Sequence, residues 1–188
     1  MERNLNFIYL CYDNEGYGNT GQQYSGATPH AARTATSQGP AGFRGFKKDL
    51  FDIWVAHKPT YVATIIGAEP LDLARKIEKA YSIRGPRMII ALSPCPTGWD
   101  FDPRETVNIG RLAVKSGIWP LKEYVDGKVV HTKMPRKRVP VEEYLKLQGR
   151  FRHLFEPERN VKLLAEIQGR LDRYWEGVAE QAKEKKAS

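Results

Sequence analysis

A chain of 188 residues, 41% hydrophobic and 28% charged, is long enough to close one sizeable core. Its two cysteines, Cys11 and Cys95, are too far apart in sequence to read as a disulfide framework or a self-contained zinc site. They suit a reducing cytoplasm, and no segment is long enough for a membrane span. The formal charge of +8 leans toward the C-terminus, where 14 Lys and Arg stand against 9 Asp and Glu from Thr132 onward; no nucleic-acid motif accompanies it, so solvated helix faces are expected.

In chain order, Phe7 to Tyr12 (FIYLCY) is an apolar run too short for a secretory signal. With Tyr61 to Ile66 (YVATII) and Met88 to Leu92 (MIIAL) it lacks apolar-polar alternation, which predicts three strands buried on both faces of a parallel sheet. A helix is expected from about 47 to 56 with Leu50, Ile53 and Trp54 inward. Another spans 69 to 83, with Pro70 at its first turn and Leu73, Ile77, Ala80 and Tyr81 on one face. The strand-helix-strand order makes the fold class α/β. After Cys95 that order lapses: residues 100 to 138 read as an irregular arm with a small hairpin at Asp126-Gly127. Helical stripes occupy 141 to 155 and 157 to 181. The expected division is 1–99 as the sheet-bearing domain part and 100–188 as an arm and helical extension packing on it or on partner subunits.

The long connection from Glu15 to Phe46 is crowded with Gly, Ser, Thr, Gln and Pro and leaves the C-terminal end of a strand, where open parallel sheets bind ligands. Gly16-Tyr17-Gly18-Asn19-Thr20-Gly21 matches G-x-G-x-x-G by letter. The residues after Gly21 are turn formers and prolines rather than an apolar helix, so a dinucleotide site does not fit. Asp13-Asn14-Glu15-Gly16 instead places an amide oxygen and main-chain carbonyls at the sheet edge, hard ligands of the kind Mg²⁺ takes; a simple turn accounts for the same four letters. Ser93-Pro94-Cys95-Pro96 sets a cysteine in a stiff loop directly after the third strand, either as a cluster ligand or as a free thiol. Cys11, inside the first strand, is expected to be a buried core residue. None of His30, His57, His131 or His153 belongs to a catalytic pairing.

The segment Tyr12 to Pro29, YDNEGYGNTGQQYSGATP, resembles the cofactor segment of the 2-oxoacid:ferredoxin oxidoreductases, where Asp-x-Glu-x-Tyr-x-Asn-Thr-Gly-x-Gln-x-Ser-x-x-Thr-Pro closes a thiamine-diphosphate motif. ALSPCPTGW resembles the segment of the same β subunit whose cysteine reaches a 4Fe-4S cluster. SGIWPLKEYVDGK and RVPVEEYLKLQGRFRHL resemble its arm and terminal helix in the pyruvate enzyme. The resemblance implies a thiamine-diphosphate-binding fold, with Asn14 giving a side-chain oxygen and Gly16 a main-chain carbonyl to Mg²⁺. Tyr17, Asn19 and Thr20 would complete the cofactor loop, Asn19 beside the reacting centre and bound oxoacid, and Cys95 would be a 4Fe-4S ligand. An upstream half with Gly-Asp-Gly and three cysteines, other subunits of α, γ and δ type, ferredoxin, pyruvate and coenzyme A are implied with it. Branched-chain or aryl oxoacids, electron delivery to NAD, a cluster-free thiamine decarboxylase and a non-catalytic docking module stay open as alternatives.

Overall fold

The computed structural model describes residues 5–135 and 137–187. Its five-stranded sheet has the order β1-β3-β2-β4-β5, with β1 Phe7–Asp13, β2 Tyr61–Ile66, β3 Pro86–Leu92, β4 Leu121–Val125 and β5 Lys128–Lys133. As the unbroken apolar runs predict, β1, β3 and β2 are parallel. The expected turn at Asp126-Gly127 closes an antiparallel hairpin, β4–β5, and β4 continues the sheet on the far side of β2. Part of the arm is therefore sheet.

Side-chain alternation sorts β2 and β3 into two cores. Val62, Ile66, Met88, Ile90 and Leu92 face one layer, which also holds Phe51, Trp99, Ile109, Tyr144, Phe151 and Leu164. Tyr61, Ala63, Ile65 and Ile89 face the other, covered by α2 (Pro70–Ser82) through Ala80, Leu73 and Ile77. All six residues of β2 are buried, as an apolar run in a parallel sheet should be. Strand β1 departs from that expectation. It is an edge strand in which Tyr9, Leu10 and Tyr12 are exposed, only Asp13 is fully buried and Cys11 is half-buried.

Four other readings are corrected. Helix α1 (Leu50–Ala56) starts later than expected because Asp49 caps it, its side chain accepting from Asp52 N at 3.1 Å; Phe51 is the fully buried residue and Ile53 is exposed. Tyr81 on α2 is exposed, and Lys76 takes the inward position, donating to Thr64 O at 2.9 Å and to Asp72 at 2.6 Å. The arm holds a helix, α4 (Thr106–Ser116), stopped by Gly117 in the left-handed region. The stripe at 141 to 155 is no single helix. A short α5 (Glu142–Leu145) and a 3-10 turn (Gly149–Leu154) are separated at Gln148, whose extended backbone is held by its amide bonding Tyr144 O and Arg150 Nε. Gly149 then passes so close to Asp100 that a Cβ would overlap its carboxylate. The last stripe is one long helix, α6 (Val161–Ala187), laid on the larger core through Leu164, Ile167 and Leu171. Among the described residues no helix is long and apolar enough to cross a membrane.

Candidate functional site

Strands β1 and β3 end side by side. Asp13 is in register with Leu92, and Ser93 N donates to Asp13 O at 2.9 Å, so the loops leaving the two strands begin as neighbours. The first loop folds back on itself: Tyr17 N donates to Gln23 O at 2.9 Å, Gln22 N to Tyr17 O at 3.0 Å and Gly21 N to Gly18 O at 3.1 Å. The second begins with Pro94 and Cys95 and enters a single helical turn, α3 (Pro96–Trp99), in which Gly98 N donates to Cys95 Sγ at 3.4 Å.

Trp99 joins the loops. Its buried indole Nε1 donates to Asn14 O at 2.8 Å. Gln22 joins them a second time: its amide lies across Gly16 and against Gly98, where an added Cβ would come within 2.6 Å of Nε2 and 2.3 Å of Oε1 respectively. Glycines at these two positions leave the space the amide fills. Asn14, Gly16 and the Cys95 turn are thereby brought to one place. Among the described residues Asn14 Oδ1 accepts only a long 3.3 Å bond from Gly16 N, so its amide is lightly held. Tyr17, Asn19 and Thr20 lie on the exposed tip of the first loop, where Thr20 is braced by Gln23, whose Nε2 donates to Thr20 O at 2.6 Å.

The two carboxylates of the same stretch turn elsewhere. Lys47 Nζ donates to Asp13 at 2.5 Å and to Glu15 at 2.8 Å, and Arg150 donates to Glu15 at 2.6 Å. Arg150 also stacks over Trp99 at 3.9 Å, while Thr28 Oγ1 donates to Glu15 O at 2.7 Å. Burial pushes the Glu15 carboxyl up, but Lys47 and Arg150 outweigh it and hold the group below the usual carboxylate range. For Asp13 burial wins, with Lys47 opposing, and its carboxyl sits high. Lys47 is held above its ordinary value because Glu15 and Asp13 overcome its own burial. Behind this network a cavity of about 320 Å³ is lined by Glu15, Lys47, His30, Tyr144, Arg170 and Tyr174 among others.

Residue reasoning missed Lys47, Arg150, Gln22 and Trp99. Arg150 lies 135 positions from Glu15, and no local pattern marks such a pairing. Gln22 carries a faint signal, a polar side chain inside a glycine-rich turn. The donors at the strand end, the lightly held Asn14 amide oxygen and the Gly16 main-chain carbonyl, are of the hard kind that fits a cation such as Mg²⁺. Among the described residues no group of three or more His, Cys, Asp or Glu side chains converges on a metal-sized space.

Residues 1–91 match the family model described as thiamine pyrophosphate enzyme, C-terminal TPP binding domain. The parallel strands and the glycine-rich loop that holds Asn14 and Gly16 thus fall within the part that resembles the cofactor-binding domain of thiamine-diphosphate enzymes. The chain is 50% identical over 157 residues to pyruvate synthase subunit PorB of Methanocaldococcus jannaschii, covering 82% of this chain and 53% of that protein. It is 44% identical over 161 residues to ketoisovalerate oxidoreductase subunit VorB of Pyrococcus abyssi, covering 82% and 51%. The chain belongs to this family of 2-oxoacid oxidoreductase subunits and spans about half the length of the curated relatives it matches. The solved 2-oxoglutarate:ferredoxin oxidoreductase from Magnetococcus marinus, with 2-oxoglutarate, coenzyme A and succinyl-CoA bound, aligns at a TM-score of 0.48 and 29% identity over 56% of this chain and 35% of that one.

Proposed function

We propose that this chain is the cofactor-holding part of the β subunit of a pyruvate:ferredoxin oxidoreductase working in the cytoplasm. In the assembled enzyme pyruvate and coenzyme A become acetyl-CoA, carbon dioxide and a proton, and two electrons leave one at a time through 4Fe-4S clusters to ferredoxin. Bound thiamine diphosphate supplies the nucleophilic carbon that attacks the oxoacid carbonyl and takes up the electron pair released with carbon dioxide. Asn14 contributes its side-chain oxygen and Gly16 its carbonyl to the Mg²⁺ that anchors the diphosphate. Tyr17, Asn19 and Thr20 form the loop over the cofactor, with Asn19 facing the oxoacid. Cys95 supplies one thiolate to a cluster whose other ligands come from outside this chain, as do the α-, γ- and δ-type subunits.

The observation that carries this reading is the joining of the two loops, by Trp99 and Gln22, at the ends of β1 and β3. An amide oxygen and a cysteine on loops joined in this way suit a cofactor that must hand electrons to a cluster. The test is made in the complete complex. Asn14→Ala is expected to abolish retention of thiamine diphosphate, and Cys95→Ser to remove one cluster's iron and its electron paramagnetic resonance signal. Full retention of both cofactors in the respective variants would overturn the assignment.

The similarity to a ketoisovalerate oxidoreductase subunit supports a second reading, in which the substrate is a branched-chain 2-oxoacid. Comparing kcat/KM for pyruvate and ketoisovalerate in the same complex decides between them.

A further inference from the structure

Gln22 occupies the x of Gly-x-Gln in the cofactor loop, a position to which no role has been attached. Its backbone is unusual: φ is +63°, a left-handed conformation that is costly for a residue bearing a side chain. The conformation is pinned from both sides, since Gln22 N donates to Tyr17 O and Gln22 O accepts from Ala35 N at 2.9 Å. A glycine would hold the same turn at lower cost. The glutamine adds an amide directed between the two loops.

That amide is incompletely bonded. Gln22 Oε1 is buried and accepts from nothing among the described residues, an unfavourable state for a desolvated oxygen unless a donor arrives. A matching donor stands close by. A Cβ on Gly18 would lie 3.0 Å from Asn14 Nδ2 and 3.6 Å from Gln22 Oε1, so both atoms overhang the same glycine. Asn14 Nδ2 has no hydrogen bond among the described residues, and Asn14 Oδ1 has only its long contact with Gly16 N. Among the described residues an unused donor and an unused acceptor thus both lie over Gly18.

Resting on the reading of Asn14 as a magnesium ligand, we propose that Gln22 is a positioning residue: its Oε1 accepts from Asn14 Nδ2 and turns the Asn14 oxygen toward the metal. Neighbours of this kind fix the orientation of a ligand whose two ends are nearly alike in shape, and their loss commonly weakens metal binding 10- to 100-fold. Because the same amide packs on Gly98, next to the turn that holds Cys95, the orientation of the metal ligand is tied to the position of the cysteine loop.

The probe is Mn²⁺, titrated into the complete complex with thiamine diphosphate present and followed by the paramagnetic signal of the free ion, so that no turnover is needed. Gln22→Met, similar in volume but without an acceptor, is expected to weaken Mn²⁺ binding at least about tenfold. Gln22→Glu keeps an acceptor oxygen and is expected to bind like the parent. Gly98→Ala, which displaces the amide from the other loop, is expected to weaken binding too, and it supplies the answer if Gln22→Met does not assemble. Parent-like affinity in Gln22→Met and Gly98→Ala would overturn the proposal, as would equal weakening in Gln22→Glu and Gln22→Met. Asn14→Ala separates the two levels. If it binds Mn²⁺ like the parent, the reading of Asn14 is wrong. If it loses Mn²⁺ while Gln22→Met does not, only the role of Gln22 falls.

Discussion

Four consecutive residues at the end of β1 serve two different regions. Asp13 and Glu15 enter a buried ionic network with Lys47 and Arg150, whereas Asn14 and Gly16 line the loop cluster beside Cys95. The inner region is saturated with partners, and the outer keeps an acceptor and a donor unused among the described residues. The contrast teaches that the carboxylates, the obvious metal ligands by chemistry, are consumed in holding the strand end still. On the proposed reading the softer-held amide is the group left for the cofactor, so that charge fixes the scaffold and neutral oxygens meet the ligand.

The strongest way to break this contrast is to remove a charge from the network. Glu15→Gln leaves Arg150 and Lys47 short of a buried counter-charge and is expected to cost about 3–5 kcal/mol, read as a drop in thermal midpoint or loss of folded protein. Asn14→Ala, one position away, should change the stability of the cofactor-free chain by no more than about 0.5–1 kcal/mol. Equal losses in the two variants would mean that the regions are not separate.

Glycine substitutions give a smaller effect of the same kind. Gly42 has φ +60° and a Cβ there would come within 2.3 Å of Ala31 O, a backbone atom that cannot step aside; Gly42→Ala is expected to cost about 1–3 kcal/mol in thermal unfolding. Gly98→Ala meets only the movable end of Gln22 and should cost less, its effect appearing in metal binding instead. Trp99→Phe removes the donor to Asn14 O and should cost about 1 kcal/mol.

The mildest probe is pH. Burial, helped by the nearby Arg33, holds His153 down to about 4, and both ring nitrogens are buried without hydrogen-bond partners among the described residues. The unfolded chain binds a proton below about 6.5 while the folded chain refuses it until about 4. Stability should therefore be steady above pH 6.5 and decline as the pH falls from 6.5 toward 4. His153→Phe should flatten that slope in melts recorded across the range.

The parallel strands and α2 were legible in the sequence because unbroken apolar runs and a proline-started amphipathic stretch have few other solutions. The burial of β1 was misjudged, since an apolar run does not say whether a neighbour lies on each side. Helix α4 is rich in β-branched and small residues and includes Gly110, so its propensity is weak. Gly117 just past its end was the usable signal. The break at Gln148 depends on side-chain bonds to Tyr144 and Arg150 that no periodicity announces. Of the candidate site, Asn14, Gly16 and Cys95 stand out by their loops. The members that join those loops, Gln22 and Trp99, act through contacts up to 85 positions apart.

The two margins of the sheet are unequal. Strand β5 carries Lys128 and Lys133, and a register shift interrupts its pairing with β4, which makes that margin hard to extend. Strand β1 offers an open ladder with Tyr9, Leu10 and Tyr12 uncovered. Any lengthening of this sheet is thus directional. A strand arriving from elsewhere would dock on the side that carries the glycine-rich loop, next to the end of β1 from which Asn14 and Gly16 follow.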